Sequence, residues 1–377
     1  MNILITGGAG FIGSHLAKAL SAQGHTITLF DTLSEQVHGP NARFPSGLRE
    51  VARCVLGDIG NREILAPEIE DQEVILHLAA ETGTGQSMYA IQRYAYANLQ
   101  GTATLLDIIV NSRPTRLRKL VVASSRAIYG EGKYRCETHG VVYPKSRSVQ
   151  SMSDGRFEPE CPNCGLAAQA LPTSEDAPCM PSSFYGLTKQ VQEQMVLMFG
   201  LTLGLDAIAL RYQNVYGPGQ SLSNPYTGLL AVFSNLVRQG KPLNIFEDGQ
   251  ETRDFVYIDD VVDATTACLL PEVRGIHSLN VGSGIRTTVL EVASSIKSYF
   301  RSDVPIQITG SFRVGDIRHN AADISRLQAL TAFQPKWRFK DGLIEFLKWT
   351  EAHRVEDAGF ERSLAELKER GLFVGTP

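Results

Sequence analysis

Residues 2–13 constrain the fold of this chain more than any other segment. Their sequence is Asn-Ile-Leu-Ile-Thr-Gly-Gly-Ala-Gly-Phe-Ile-Gly. The apolar, β-branched run Asn2–Thr6 predicts a buried strand, and a helical pattern begins near Phe11. The glycines fit both dinucleotide spacings, with Gly7 or Gly8 first, then Gly10 and Gly13. Because glycine permits a tight turn and a helix N-terminus offers free N–H groups, we expect a pyrophosphate to bind here.

A second predicted strand, Thr26–Phe30, ends in Asp31. Asp31 follows the glycine turn by the sequence spacing, about 20 residues, at which a carboxylate binds the adenosine ribose hydroxyls of a bound dinucleotide. A solvated acid at a strand end is the alternative. Thr32 follows, and no arginine stands there to take a 2′-phosphate, so the sequence favours NAD over NADP.

Tyr185 and Lys189 lie four residues apart in a predicted helix that runs from Ser183 to about Met198. They therefore share a helix face. A free tyrosine has a pKa of about 10, and a nearby ammonium would lower it toward the range of a useful base. An ordinary amphipathic helix that carries a Tyr and a Lys is the alternative. The predicted dinucleotide-binding turn at Gly7–Gly13 instead favours redox chemistry on a nicotinamide ring.

A third candidate group follows the predicted strand Leu120–Ala123, which ends at Ser124 and Ser125. Ligands of open parallel sheets bind at the carboxyl ends of the strands. A serine hydroxyl there can hydrogen-bond the oxygen of a substrate.

Several motifs in order resemble the extended short-chain dehydrogenase/reductase family, in its nucleotide-sugar epimerase/dehydratase branch, over residues 1 to about 350. The motifs are Thr6–Gly13, Gly57–Ile59, His77–Ala80, Asn98–Thr102, Ser124–Ser125 with Tyr129–Gly130, Tyr185 with Lys189, Arg211–Pro218 and Arg253–Asp260. The resemblance implies a nucleotide-sugar substrate, a homodimer, and Ser125, Tyr185 and Lys189 as the catalytic residues.

Motif and resemblance together give two sets of expected contacts. The cofactor contacts are Gly7, Gly10, Phe11, Ile12, Gly13, Asp31, Asp58, Ile59, Leu78, Ala79, Ala80, Asn98, Tyr185 and Lys189. The substrate contacts are Thr84, Ser87, Ser125, Arg126, Asn214, Arg253 and Arg313. Arginine forks suit the oxygens of a diphosphate.

The residues after Ser125 restrict the reaction. Arg126 and Ala127 stand where 4,6-dehydratases of the family carry Asp-Glu, and related decarboxylases carry Glu at the position of Ala127. The segment from Ser125 to Tyr129 also lacks the Cys that the family's 3,5-epimerase/reductases need near the active serine. The remaining Ser, Tyr, Lys and NAD suffice for 4-epimerisation through a 4-keto sugar. A nucleotide-sugar dehydrogenase or dehydratase and a non-catalytic NAD-binding sensor remain alternatives.

The sugar is indicated by residues 77–89 and by an insertion described below. Both resemble epimerases that convert dTDP-L-rhamnose to dTDP-6-deoxy-L-talose, which would place Thr84 and Ser87 beside the hexose. Epimerisation of a UDP-hexose or UDP-uronate is the nearest alternative.

The insertion, roughly residues 131–172, contains one Cys-x-x-His and one Cys-x-x-Cys pair. The four residues are Cys136, His139, Cys161 and Cys164. This spacing is typical of a structural, tetrahedral zinc site in a zinc-ribbon-like fold. A disulfide and free thiols are the alternatives.

Strand and helix patterns alternate and predict an α/β, Rossmann-type doubly wound parallel sheet. The predicted strands are Asn2–Thr6, Thr26–Phe30, Ala52–Leu56, Val74–His77, Leu120–Ala123, Ala207–Arg211 and Ser278–Val281. We expect an NAD-binding domain over residues 1–211. A smaller, mainly substrate-binding domain would follow over 212–377, with returns to the first domain near 253–281.

The composition excludes several classes of protein. The chain has 377 residues, a net charge of −4, 43% hydrophobic residues and no basic run, which disfavours nucleic acid as a partner. It has no apolar run long enough for a membrane span and no charged leader before the first strand. We therefore expect a cytoplasmic protein without membrane partners.

Overall fold

The computed structural model describes residues 1–222, 224, 226, 228–354 and 359–375. The other positions of the predicted second domain lie outside the described residues. The strands in chain order are β1 (Asn2–Thr6), β2 (Thr26–Asp31), β3 (Arg53–Leu56), β4 (Val74–His77), β5 (Lys119–Ser125), β6 (Tyr134–Cys136), β7 (Gly140–Val142), β8 (Gln169–Ala170), β9 (Asp206–Tyr212), β10 (Asn214–Tyr216), β11 (Leu243–Ile245), β12 (Thr252–Arg253), β13 (Phe255–Tyr257), β14 (Ile276–Val281), β15 (Thr287–Thr288), β16 (Ile306–Ile308), β17 (Phe312–Arg313) and β18 (Phe373–Val374).

The helices alternate with these strands. They are α1 (Phe11–Ala22), α2 (Glu35–His38), α3 (Ser46–Arg49), α4 (Arg62–Ile69), α5 (Thr84–Ser87), α6 (Ile91–Tyr94), α7 (Gly101–Ser112), α8 (Val149–Ser153), α9 (Phe184–Leu203), α10 (Leu229–Arg238), α11 (Ile258–Ala267), α12 (Val289–Tyr299), α13 (Ser325–Thr331), α14 (Phe339–Glu351) and α15 (Phe360–Glu369). A π-helical segment, Ala95–Gln100, joins α6 to α7, and a 3₁₀ turn, Arg126–Tyr129, follows β5. None of the described helices is both long and apolar enough to cross a bilayer.

A parallel sheet of seven strands forms the centre of the described chain, in the order β14-β9-β5-β4-β1-β2-β3. All six neighbouring pairs are parallel. The strand order reverses between β1 and β4, which is where ligands bind in open α/β sheets. The predicted Rossmann-type sheet is therefore confirmed.

Helices cover both faces of this sheet. Side chains of α1 and α11 pack on one face, and those of α4, α7 and α9 pack on the other. Both sets are apolar, as expected for a parallel sheet buried on two sides. The edge strand β14 pairs with β9, so the chain returns to the first sheet after it has built much of a second lobe.

The second lobe has its own core. Apolar side chains of α10, α12 and α14 pack there with those of β11 and β13. Residue pairs such as Asn214↔Phe255 join β10, which follows the central strand β9, to β13 of this second core. The insertion adds a three-stranded antiparallel sheet in the order β7-β6-β8.

Candidate active site

A large cleft of about 1280 Å³ follows the carboxyl ends of the central strands. It is larger than the roughly 300–1,000 Å³ of most small-ligand pockets, so it has room for a dinucleotide and a second ligand. Its walls include most of the predicted contacts: Gly7, Gly10, Phe11, Ile12, Gly13, Asp31, Asp58, Ile59, Leu78, Ala79, Ala80, Thr84, Ser125, Arg126, Tyr185, Lys189 and Asn214.

The glycine turn forms one end of the cleft. Gly7 has a φ of +68°, and a Cβ added there would lie 2.8 Å from the backbone nitrogen of Ala79. A Cβ on Gly13 would lie 2.5 Å from the carbonyl oxygen of Gly7. Since both neighbours are backbone atoms, a larger residue would displace the turn itself. The turn leads directly into α1, whose N-cap Gly10 provides no side-chain cap, so its first N–H groups are available to an anion.

Two carboxylates stand at the same end of the cleft and are fixed by backbone donors. Asp31 accepts hydrogen bonds from the N–H of Ala9 at 2.9 Å and of Leu33 at 2.8 Å. Asp58 accepts from the N–H of Gly60 at 2.7 Å and from the Tyr96 hydroxyl at 3.1 Å. These bonds hold both side chains in the wall where the sequence predicted the adenosine.

Ser125, Tyr185 and Lys189 come together on the cleft wall from two elements. Ser125 ends β5, and the other two lie in the first turns of α9, which the Ser183 hydroxyl caps by accepting from the N–H of Gly186 at 3.1 Å. Burial raises the pKa of Tyr185, while the Ser125 hydroxyl and the charge of Arg126 act in the opposite direction. The sequence predicted Lys189 as the group that lowers this pKa, whereas here the opposing influences come from Ser125 and Arg126.

Lys189 belongs to a buried polar network behind the cleft. Its ammonium donates to the side-chain oxygen of Gln192. Gln192 lies 3.0 Å from Nε2 of His77, whose Nδ1 lies 2.8 Å from the Thr6 hydroxyl. Burial lowers the pKa of Lys189 to about 7. Burial, assisted by the charge of Lys189, lowers the pKa of His77 to about 3.

Guanidiniums cluster around Asp316 beyond Arg126, next to the part of the cleft that we call its substrate end. Arg253 pairs with Asp316 at 3.0 Å, and Arg126 and Arg313 also interact electrostatically with this carboxylate. Burial alone would raise the pKa of Asp316, but the surrounding guanidiniums outweigh it and the pKa lies below its ordinary value. The guanidiniums of Arg126, Arg253 and Arg313 next to this carboxylate are groups that suit the oxygens of a diphosphate.

Comparison with known proteins agrees with this geometry. The model of the NAD-dependent epimerase/dehydratase family matches residues 3–149 and 162–282. The chain belongs to this family. It is 40% identical to the dTDP-L-rhamnose 4-epimerase of Burkholderia thailandensis, over 92% of this chain and 94% of that one. It is 30% identical to the UDP-glucose 4-epimerase of Mycolicibacterium smegmatis, over 92% and 99% of the two chains.

A solved structure of the family is similar throughout. The UDP-glucuronic acid 4-epimerase of Bacillus cereus, in complex with UDP-glucuronic acid and NAD, matches with a TM-score of 0.75 and 26% identity. The match covers 93% of this chain and 99% of that one. This member of the epimerase/dehydratase family is therefore an NAD-dependent enzyme that acts on nucleotide sugars, as its sequence predicted.

Two predicted ligand contacts of this family member lie behind the cleft wall instead of on it. Ser87 is fully buried, and its hydroxyl accepts from the N–H of Tyr185 at 2.9 Å and donates to the carbonyl of Thr84 at 2.6 Å. Ser87 therefore holds the backbone of Tyr185, and its predicted contact with the sugar stays a prediction.

Asn98 is also fully buried and does not line the cleft, and its predicted contact with the cofactor stays a prediction. Its amide accepts from the N–H of Glu81 at 2.8 Å and donates to the Thr188 hydroxyl at 2.9 Å. Ser87 and Asn98 both lie in segments that resemble the family. Their hydrogen bonds connect the helices that support the cleft.

Arg253 and Arg313 do not line the main cleft. They lie beyond Arg126, around Asp316. Within the described residues, Nε of Arg313, Oδ1 of Asn214 and Oε1 of Gln220 are buried without a hydrogen-bond partner. Buried polar atoms are normally paired, so these three are candidates to receive a polar ligand.

The sequence analysis did not predict three further residues that line the cleft or hold its side chains: Asp316, Gln192 and Tyr226. Tyr226 lines the cleft, and its hydroxyl donates to Glu366 of α15 at 3.0 Å. Gln192 is three residues after Lys189 on α9, so helical spacing could have indicated it. Asp316 lies in a loop, and no local pattern marks it.

The four predicted metal ligands of the insertion converge. The donor atoms of Cys136, His139, Cys161 and Cys164 all lie within 4.8 Å of one another. The sulfurs of Cys136 and Cys164 are 3.7 Å apart, and each of two thiols lies 3.6–3.7 Å from Nδ1 of His139. Tetrahedral thiolates on zinc lie about 3.8 Å apart, since each Zn–S bond is about 2.3 Å. The donor set and its spacing therefore fit a tetrahedral zinc ion.

Proposed function

We propose that this protein is an NAD-dependent 4-epimerase of a nucleotide-activated hexose. The observation that carries the proposal is the convergence of Ser125, Tyr185 and Lys189 on one cleft, with Arg126 and Ala127 in place of an additional acid–base pair. Such a site has groups to remove and return one hydroxyl proton, and it has no carboxylate at those positions to assist loss of water.

Each residue has a distinct role in the proposed reaction. Tyr185 removes the proton from the sugar 4-hydroxyl and later returns it, while Ser125 hydrogen-bonds the same oxygen. Lys189, held by Gln192, binds the nicotinamide ribose. When bound, NAD would accept the hydride from the sugar C4, and the NADH so formed would return it after the 4-keto sugar has turned its opposite face to the nicotinamide. The glycine turn, Asp31, Asp58 and the Leu78–Ala80 segment would hold this dinucleotide.

The most specific substrate we propose is dTDP-L-rhamnose, with dTDP-6-deoxy-L-talose as product. The 40% identity to an enzyme named for that substrate supports this choice. A UDP-hexose or UDP-uronate is the second candidate, because UDP-sugar 4-epimerases share 26–30% identity over nearly the same length. In either case Arg126, Arg253, Arg313 and Asn214 would bind the diphosphate side, and Thr84 would face the sugar.

We also propose a structural zinc ion on Cys136, His139, Cys161 and Cys164. All four ligands come from the protein, which is typical of structural sites. Purified protein is expected to contain about one zinc per chain by plasma mass spectrometry. Cys164→Ser should lose most of this metal and the control Cys179→Ser should keep it; equal zinc content in both variants would rule the site out.

A homodimer through the helices around residues 88–111 and 184–200 is part of the proposal. Leu187, Met198 and Leu201 are exposed on one side of α9. Ile91 of α6 and Tyr96 of the π-helical segment before α7 are exposed as well. Apolar surface of this kind is typical of a protein interface. Light scattering that gives a monomer mass at micromolar concentration would contradict the dimer.

The decisive experiment is NMR of the purified enzyme with dTDP-L-rhamnose and, separately, with UDP-glucose, without added cofactor. A 4-epimer formed from the first alone supports the proposed substrate and shows that NAD co-purifies. A 4-epimer formed from UDP-glucose alone moves the substrate to UDP-sugars and keeps the mechanism. No product from either, with NAD then added, would contradict both substrates, and NAD consumed in proportion to an oxidised sugar would show a dehydrogenase.

A further inference from the structure

The insertion is fastened to the substrate lobe by a buried arginine. Arg147 follows β7 and is only 3% exposed. Its guanidinium contacts Glu131 at 3.1 Å and Glu247 at 2.9 Å. It also donates to the carbonyl oxygens of Phe157 and Asp316, each at 3.1 Å. One side chain therefore joins two segments of the insertion, at Glu131 and Phe157, to the loop that carries Asp316.

A second buried arginine, Arg318, also contacts the insertion. Arg318 is 1% exposed and contacts Glu158 of the insertion at 2.7 Å. The same guanidinium contacts Glu247 at 2.9 Å and Asp248 at 2.7 Å. Its backbone N–H donates to Glu131 at 2.9 Å. The loop 316–319 is thus held between the insertion and the turn that follows β11.

This loop in turn positions the arginines of the candidate diphosphate site. Arg253 donates to the Asp316 carboxylate at 3.0 Å and to the carbonyl of Arg318 at 3.1 Å. Arg126 and Arg313 share the same carboxylate electrostatically. A shift of the loop would therefore move Asp316 and change how the three guanidiniums are spaced.

The insertion has little apolar core of its own. Its buried cluster consists of Tyr134, Cys136, Val142, Cys161, Ala168 and Ala170, two of which are predicted metal ligands. So small a core contributes little stability, and a bound metal commonly supplies the rest in units of this kind. The metal site and the ionic contacts lie in one unit, because β6 carries Cys136 while Arg147 follows the adjacent β7.

We propose that the insertion, held by its metal, is a positioning element of the nucleotide-diphosphate site, with Arg147 as the residue that connects the two. This inference rests on the nucleotide-sugar assignment above. It predicts that metal loss or a change at Arg147 weakens binding of the nucleotide and leaves NAD in place. The NAD end of the cleft is built from other elements, chiefly β1, β2 and α1.

The first test is titration calorimetry of the full-length, NAD-containing enzyme with dTDP and with UDP. Arg147→Lys keeps the charge, but an ammonium cannot span four partners as the guanidinium fork does. We expect the Kd of the preferred nucleotide to rise about tenfold. The matched control Arg156→Lys, at a 61% exposed position of the same insertion, should leave the Kd unchanged. An unchanged Kd in Arg147→Lys would overturn the proposal.

The second test removes the metal by chelation and by Cys164→Ser, with zinc content, bound NAD and circular dichroism measured in each sample. A folded, NAD-containing protein whose nucleotide Kd rises, and falls again on reloading the chelated enzyme with zinc, supports the proposal. An unchanged Kd without metal would overturn it, as would parallel loss of NAD, which would show that the metal supports the whole fold. If the wild-type enzyme binds neither dTDP nor UDP, the nucleotide-sugar assignment fails first, and this inference fails with it.

Discussion

The two ends of the cleft are supported by buried polar networks of different kinds. Behind the cofactor end, Thr6, His77, Thr102 and Gln192 form a network of uncharged groups that orients one ammonium, Lys189. Behind the substrate end, the network is ionic, with arginines bridging carboxylates from the insertion and the second lobe. The first network comes from motifs that lie on regular strands and helices, whereas the second joins loops far apart in sequence.

The difference has a physical basis. A buried neutral network is stable when every donor finds an acceptor, and regular secondary structure places such pairs accurately. A buried ionic network must balance charge as well, because an unpaired buried ion is strongly destabilising. At the substrate end, Arg126, Arg253 and Arg313 share the Asp316 carboxylate, and the proposed diphosphate would be a further anionic partner for them. We therefore expect changes at the two ends to affect different measurements.

Tyr185 lies where the two ends meet, so its loss should stop the reaction without releasing either ligand. Tyr185→Phe removes the proposed general base, which is worth about 10³-fold in kcat. Bound NAD and the Kd for dTDP should remain near their wild-type values. Tyr299→Phe, which removes a surface hydroxyl bonded to Glu351, is the control and should keep full activity. Full turnover by Tyr185→Phe would disprove the proposed mechanism.

Gly13→Ala should weaken binding at the cofactor end of the cleft and spare the substrate end. The added methyl would stand 2.5 Å from the Gly7 carbonyl oxygen and 2.8 Å from Cα of Gly8. Since backbone must move, we expect NAD affinity to fall about 100-fold, a loss of roughly 3 kcal/mol, with much less change in dTDP binding. Gly47→Ala, where a Cβ meets no atom within 4 Å, is the control. Bound NAD equal to that of wild type would show that the turn tolerates the methyl group.

The central sheet could be predicted closely from the sequence. The strand Val74–His77 was predicted with both ends correct, and Thr26–Phe30 was one residue short. Such strands are continuous apolar runs, so the signal is local. The Gly7–Gly13 turn and the Tyr185–Lys189 pair were also predictable, because each depends on a few neighbouring residues.

The substrate end could be predicted only in part. Arg253 and Arg313 were expected near the diphosphate, but Asp316, which brings them together, has no local signal. The contact of Arg147 with Asp316 spans 169 residues, and no periodicity encodes a pairing of that kind. Ser87 and Asn98 show the converse, since a motif identifies a residue without showing whether it faces the ligand or supports a neighbour, and the structure gives both of them supporting hydrogen bonds.

The uncharged network predicts a specific sensitivity to acid. The pKa of His77 is about 3 in the folded protein, because burial and then Lys189 disfavour its charged form, against about 6.5 when unfolded. Below pH 6.5 the unfolded chain binds the proton and the folded one does not, so stability present above pH 6.5 is lost as pH falls toward 3. Between pH 7 and pH 5 the loss from this group is about 2 kcal/mol.

Chemical denaturation at both pH values would measure it. His77→Gln should be less stable at pH 7 but should lose about 2 kcal/mol less than wild type on acidification. The exposed His353→Gln is the control and should retain the wild-type dependence. A His77→Gln variant that loses as much stability as wild type would show that other groups account for the acid sensitivity.

Arg126 tests whether the guanidinium charge at the substrate end also acts on the chemistry. Its charge is one of the influences that oppose the raised pKa of Tyr185, and it also belongs to the guanidinium cluster around Asp316. Arg126→Gln should raise KM for the nucleotide-sugar about tenfold through loss of one charged contact. It should also raise the pKa of Tyr185. Since the phenolate is the base, the rising limb of kcat against pH should then move to higher pH.

Arg126→Lys keeps the charge without the fork, so it should raise KM but leave the pH profile in place. A profile unmoved in Arg126→Gln would confine this arginine to substrate binding, and the two ends of the cleft would then be electrostatically independent.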